Sequence, residues 1–221
     1  MRDEETGTFW QQISGRAISG PLAGAQLEPV PSDELTFKLW RTEAPSGTVL
    51  KRASKYAADY EEKDWDVRMA KVRTVLDFPN TELKSRDLVF GITAFGASRA
   101  YPVNRIISSK LIQDRLGNEP VLLVLGPDEK SIRAFYARFR GGDAVPDYYR
   151  KLGADPSAKR SRSSDSEAAL FMDASTGSDW NFKGCAVAGP MRGSCLKQIW
   201  GLKDYWFDWR NYHPETTVYK Q

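Results

Sequence analysis

The chain has 221 residues, a formal net charge of +3 from 32 Lys and Arg against 29 Asp and Glu, 41% hydrophobic residues and 12% aromatic ones. That length is enough for a sizeable core in one large domain or two small ones. The near balance of charge gives no electrostatic case for nucleic acid, which needs a concentrated basic face. No apolar run approaches the roughly 18–20 residues that cross a bilayer; the longest, PVLLVLGP at 120–127, has the length of a strand.

The opening MRDEETGTFW is polar and acidic, without a basic head and apolar stretch, so no export signal is read there. Strands are expected at 15–19 and 25–30, on either side of the Gly-Pro-x-x-Gly turn formed by Gly20, Pro21 and Gly24. In TFKLWRTEAP, Phe37 and Trp40 are three apart and Pro45 follows, which predicts a short helix and its stop. GTVL at 47–50 reads as a strand, and 59–73, with Trp65, Met69 and Val72 at helical spacing, as a helix. DLVFGITAF and SRAYPV form a hairpin. RIISSKLIQDRLG reads as a helix closed by Gly117. PVLLVL and SIRAFYARF flank the turn GPDEK, and 153–168 is an exposed loop.

The last fifty residues repeat the first fifty. Asp3, Thr6, Gly7 and Trp10 match Asp173, Thr176, Gly177 and Trp180. After a one-residue gap, Gly15, Ala17, Gly20, Pro21, Gly24 and Leu27 match Gly184, Ala186, Gly189, Pro190, Gly193 and Leu196. Without a further gap, Trp40, Arg41, Pro45, Thr48 and Val49 match Trp209, Arg210, Pro214, Thr217 and Val218. Identities concentrated in Trp, Gly and Pro point to duplication. The expected fold is therefore α+β, β-rich with short helices, with 3–50 related to 173–219 by a pseudo-twofold. The predicted layout is half a repeat at 1–50, a helical connector at 51–84 and a full repeat domain at 85–221. Half a domain leaves apolar surface unburied, so the copies should pack together. In that case 1–50 either borrows its missing half from 85–145 or exposes an edge that promotes self-association.

These same stretches carry a resemblance. DEETGTFWQQISGRAISGPLAG, GITAFGASRAYPV followed by DRLGNEPVLLVLGP, and LKDYWFDWRNYHPETTVY resemble the prokaryotic family named domain of unknown function 3179. The resemblance implies that 85–221 is a full copy and 1–50 the second half of another, with MRDEETG matching the middle of a domain. It also implies a Cys-Pro-x-Cys-Gly segment where this chain has GPDEK, and a histidine in the preceding helix. Here Gly126 and Glu129 stand at the two cysteine positions and Ser109 at the histidine. Gly and Ser cannot replace soft donors for a metal or a redox site. Family members often look exported, so an extracytoplasmic location is implied on the same ground.

The remaining candidates are weighed against ordinary roles. His213, the sole histidine, would need a positioned nucleophile and an orienting group to act as a base; beside Pro214, at a helix end, its ordinary role is capping or surface exposure. One His and two Cys do not make a four-ligand zinc site, and no metal or cofactor is expected. Cys185 and Cys195 flank the second Gly-Pro-x-x-Gly turn and align with Arg16 and Gln26. A disulfide or two small thiols are the open alternatives there, and their spacing is far from the Cys-x-x-Cys of a catalytic pair. Lys159, Arg160 and Arg162 read as a solvated loop, and the acidic run 59–66 lacks the glycine bend of a calcium loop. Trp10, Trp40, Trp180, Trp206 and Trp209 offer a ligand platform or core packing, and their repetition favours the core.

Two functions stay open. One is a non-catalytic binding or scaffold module that holds a second copy or a sister domain. The other is a fragment of an envelope-associated thiol-redox or metal-handling protein whose working residues lie upstream.

Overall fold

Short alternating runs punctuated by glycine give short strands. The computed structural model, which describes every residue except 29, 31, 61–63, 79–81, 140–141, 143–144, 152–167 and 221, is β-rich with few, short helices. By its internal contacts the chain divides into Met1–Asp33 and Glu34–Gln221. That division follows contact density, whereas the layout at 1–50, 51–84 and 85–221 follows repeat identity, which is a separate question.

In Met1–Asp33, β1 (Phe9–Trp10) pairs antiparallel with β2 (Ala17–Ser19), with a bulge between Phe9 and Trp10. Gly20 follows β2 at φ +105°, and a Cβ there would sit 2.8 Å from the Thr8 Cα, so the turn requires glycine. The strand expected at 25–30 reduces to a single bridge between Arg16 and Gln26, because no further strand lies beside it among the described residues.

The second unit begins with α1 (Phe37–Glu43). The Thr36 side chain caps it by accepting from the Leu39 N–H, and Leu39 faces the core. The strand expected at 47–50 does not form: Leu50 is 96% exposed, and nothing pairs with the segment among the described residues. The helix expected over 59–73 is confined to α2 (Trp65–Met69), preceded by a 3₁₀ turn at Ser54–Asp59.

The hairpin DLVFGITAF/SRAYPV forms as β3 (Leu88–Ala94) and β4 (Ala97–Pro102). Its two-residue turn has Phe95 and Gly96 at φ 54° and 72°, the sign that matches strand twist. The segment read as one helix closed by Gly117 splits instead. It gives α3 (Val103–Ser109), then Lys110 in a left-handed cap at φ 61°, then β5 (Leu111–Leu116). The reason is tertiary. β6 (Glu119–Leu125) is almost wholly apolar and needs a partner on each side, and β5 supplies one through the Gly117-Asn118 turn.

β7 (Ile132–Tyr136) covers the other side of β6. β8 (Tyr148–Arg150), β9 (Phe171–Asp173), β10 (Asp179–Trp180) and β11 (Ala186–Ala188) follow, then β12 (Lys197–Ile199) and β13 (Leu202–Tyr205). The last elements are α4 (Trp206–Tyr212) and β14 (Thr217–Val218). Three four-stranded sheets result, ordered β11-β10-β9-β8, β12-β7-β6-β5 and β13-β3-β4-β14. The loop expected at 153–168 lies outside the described residues apart from Ala168, and with it Lys159, Arg160 and Arg162.

The β6 sheet is a wall between two cores. Leu122 and Val124 of β6 join Phe135, Trp180, Phe182 and Leu39 on one face. Val121, Leu123 and Leu125 join Ile92, Tyr101 and Ile106 on the other. This is the period-two alternation of a strand buried on both faces. A third cluster sets Trp206 and Trp209 against Val89 and Ala100, and Gly91 makes the room: a Cβ there would lie 2.4 Å from the Trp209 indole.

The candidate site around the 126–130 turn and the repeated networks

The matched stretches carry the same local hydrogen bonding. Asp3 accepts from the Trp10 indole at 2.8 Å and the Thr6 N–H at 2.6 Å, and Thr6 Oγ1 meets Thr8 Oγ1 at 2.6 Å. Asp173 accepts from the Trp180 indole at 2.9 Å and the Thr176 N–H at 2.6 Å, and Thr176 Oγ1 meets Ser178 Oγ at 2.7 Å. Gly7 and Gly177 adopt φ 71° and 68°. Gly20, Pro21 and Gly24 in one stretch, and Gly189, Pro190 and Gly193 in the other, form turns of the same bonding. The caps after α1 and α4, Ala44 and His213, share φ −127° and ψ 68°. The pseudo-twofold expected from the sequence concerns placement; the likeness described here is local.

Burial separates the two matched stretches. Asp173 and Trp180 are fully buried, whereas Asp3 and Trp10 are half-buried, and there the Trp10 indole and the Thr6 backbone hold the Asp3 carboxyl down at about 2. Trp206 and Trp209 are buried. On α1 the equivalent pair, Phe37 and Trp40, stack at 5.5 Å with Phe37 61% exposed. Trp10 and Trp40 are half-buried rather than in the core that repetition suggested for them; on α1 it is Leu39 that is buried.

Cys185 and Cys195 are joined by a disulfide, with Cα atoms 4.0 Å apart. They face each other at a non-hydrogen-bonded position of an antiparallel pair: the flanking bonds are Ala186 N–H to Ser194 O and Leu196 N–H to Gly184 O, both 2.8 Å. Arg16 and Gln26 hold the same position between bonds of 2.9 Å, so the hairpin closes there with no covalent link. Replacing both Cys185 and Cys195 by Ser is therefore expected to cost about 2–3 kcal/mol through the loosened unfolded chain. Far-ultraviolet circular dichroism should remain unchanged while the urea midpoint falls.

The positions where the resemblance sets thiols and a histidine do come together. The Leu125 N–H donates to Lys110 O, which brings the end of α3 beside the 126–130 turn, and Lys110 Nζ pairs with Glu129 Oε1 at 3.3 Å. Asp128 is the hub of the turn. It accepts from Ser131 Oγ at 2.6 Å, Thr36 Oγ1 at 2.7 Å, the Ser131 N–H at 3.0 Å and the Lys130 N–H at 3.2 Å. Partial burial pushes its pKa up, but these donors outweigh it and the net shift is downward. Gly126 has no room for a side chain, because a Cβ would lie 2.8 Å from Asp128 Oδ1 and 3.1 Å from the Phe182 ring. Beside the turn, Arg133 forks onto Glu43 at 2.9 and 2.7 Å and lies 4.6 Å from the Phe182 ring centre. Thr36, Glu43 and Arg133 escaped sequence reading because their partners are some 90 residues away along the chain.

His213 stacks on Trp209 at 3.8 Å with Nδ1 3.1 Å from the Trp209 carbonyl, and burial lowers its pKa. Among the described residues no three His, Cys, Asp or Glu side chains gather to hold a metal ion. Asp64 of the acidic run pairs with Arg68 at 3.5 Å on the surface. Tyr101 and Arg99 both bond Asp114, which ties β4 to β5, and burial raises the Tyr101 pKa.

Burial, with the Asp208 charge adding to it, raises Asp204 to about 6. Its folded pKa thus exceeds its unfolded value, so the ionised group is a full penalty above about pH 6 and none below about pH 4. Asp204→Asn should raise stability at pH 7 by about 1–2 kcal/mol, discounted for its partial exposure. The gain should vanish at pH 3.5, as denaturant titrations at the two pH values will report.

Elsewhere, an open cleft of ≈ 330 Å³ is lined by Leu83, Arg86, Asp87, Leu88, Pro102, Val103, Asn104 and Ile107. Sequence reading missed it because it joins the approach to β3 with the first turns of α3. No helix among the described residues is long and apolar enough to cross a membrane.

No curated protein and no solved structure matches the chain. The sequence model of the family described as protein of unknown function DUF3179 matches residues 1–216, and the chain belongs to that family.

Proposed function

We propose that this chain is a non-catalytic binding or scaffold module in which the position of a ligand-bearing turn has been filled by a closed polar network. The observation that carries this is the turn itself. Asp128 is satisfied by Ser131, Thr36 and Lys130, Glu129 is paired with Lys110, and a cysteine side chain at 126 would collide with Asp128 and Phe182. Metal capture and thiol exchange both need donors free to bind or react, and the groups gathered here are engaged with one another.

The exposed Phe37, stacked on the half-buried Trp40, supports a surface kept for a partner, since the counterparts Trp206 and Trp209 are covered by β3 and β4. A second copy or a sister domain is the partner this favours. The disulfide supports an oxidising, extracytoplasmic compartment.

The test uses full-length protein purified from its source. Native mass spectrometry should give an apo mass with the Cys185–Cys195 disulfide intact and a multimer or a complex with a sister domain. A thiol-oxidoreductase assay should show no turnover. Stoichiometric metal on this chain, or turnover, would establish the redox or metal-handling reading instead.

A further inference from the structure

The cleft between the approach to β3 and the start of α3 is lined by three polar residues, Arg86, Asp87 and Asn104, beside an apolar wall. The Arg86 guanidinium is fixed: its carbon lies 4.9 Å from the ring centres of both Tyr205 and Phe207, and Nε and Nη2 donate to the Val72 carbonyl at 3.1 and 2.7 Å. Among the described residues it has no carboxylate partner, although Asp87 is its neighbour in the chain. Asp87 accepts one backbone bond, from the Lys84 N–H at 2.8 Å, and is in no ion pair among the described residues. The Asn104 amide makes no hydrogen bond among them. A residue with a fixed cation, one with a carboxylate and one with an amide thus line one cleft, together with Leu83, Leu88, Pro102, Val103 and Ile107. Leu88 and Ile107 keep 42% and 45% of their surface exposed there.

We infer that this cleft binds a small zwitterion with an apolar tail, an apolar α-amino acid, which deepens the binding-module reading and rests on it. The ligand carboxylate suits the remaining edge of the Arg86 guanidinium, Nη1 with the second hydrogen of Nη2, since the Nε–Nη2 edge is taken by the Val72 carbonyl. The ligand ammonium suits Asp87, and the side chain covers Leu88 and Ile107. A cleft of ≈ 330 Å³ is at the lower end of ligand-site volumes, which run from about 300 Å³ upward, and admits leucine. A singly charged molecule would leave either Arg86 or Asp87 desolvated beside it without a counter-charge, and that is the source of selectivity.

Isothermal titration of the full chain tests this with three probes: leucine, isovalerate, which lacks the ammonium, and isoamylamine, which lacks the carboxylate. Leucine should bind with a dissociation constant on the order of 1 mM, as befits a small ligand in an open site, and each analogue about tenfold more weakly or worse. Asp87→Asn should weaken leucine about tenfold and strengthen isovalerate, which no longer desolvates an uncompensated carboxylate, so that the preference for leucine is lost. Ile107→Asp, on an exposed face of α3, should weaken leucine about tenfold with an unchanged circular dichroism spectrum. Should Asp87→Asn fail to fold, the three probes and Ile107→Asp decide alone. Leucine binding no tighter than isovalerate, or unaffected by Ile107→Asp, overturns the assignment. That result leaves the non-catalytic reading standing, since that reading falls only to metal or turnover.

Discussion

Glu43→Ala is expected to cost about 3–5 kcal/mol of stability, because it takes the carboxylate away from a guanidinium whose side chain is 5% exposed. The two bonds of 2.9 and 2.7 Å form a bidentate fork, the geometry in which a carboxylate best neutralises a guanidinium. Glu43 also ends α1, where the helix dipole disfavours an acidic side chain, so its place there depends on Arg133. Removing both charges together gives a different expectation. Glu43→Leu with Arg133→Met should lie within about 1 kcal/mol of the parent, since the desolvation of both ions goes with their attraction. Urea titrations followed by tryptophan fluorescence measure both. A single variant no worse than the double would show that the pair is not what holds α1 to β7.

Gly184→Ala should cost about 2–5 kcal/mol, from two sources that a control separates. Gly184 has φ +75°, which costs an L-residue about 1–2 kcal/mol. The added Cβ would also sit 2.4 Å from the ring of Phe135, a fully buried residue with nowhere to move, which adds about 1–3 kcal/mol. Gly193 has a similar φ, +87°, but an added methyl there would meet no atom within 4 Å, so Gly193→Ala should show the backbone cost alone. Equal destabilisation of the two variants would mean that Phe135 yields freely and the core beside the hairpin is loosely packed.

Local grammar carried much of this fold. The hairpin of β3 and β4, the two strands around GPDEK and both aromatic helices followed from alternation, turn residues and terminal prolines, each decided within about ten residues of chain. What escaped depended on distant partners. Ile112 and Leu116 sit four apart as in a helix, and only the need of β6 for a neighbour makes that segment a strand. The closed state of the 126–130 turn rests on Thr36, and the anchoring of α1 on Arg133; neither contact leaves a trace in local spacing. The identities between the two ends were legible. The unequal burial of the matched residues was not, since Trp40 and Trp209 are the same residue in the same local phrase with different surroundings.

The sheet β13-β3-β4-β14 has a consequence for biosynthesis. Its central hairpin comes from 88–102, while both strands that flank it come from 202–218, one antiparallel and one parallel. A nascent chain leaving the ribosome therefore carries this hairpin with two bare flanks until residues 202–218 emerge, a window in which intermolecular pairing competes with folding. Chaperone demand during translation should concentrate in that interval.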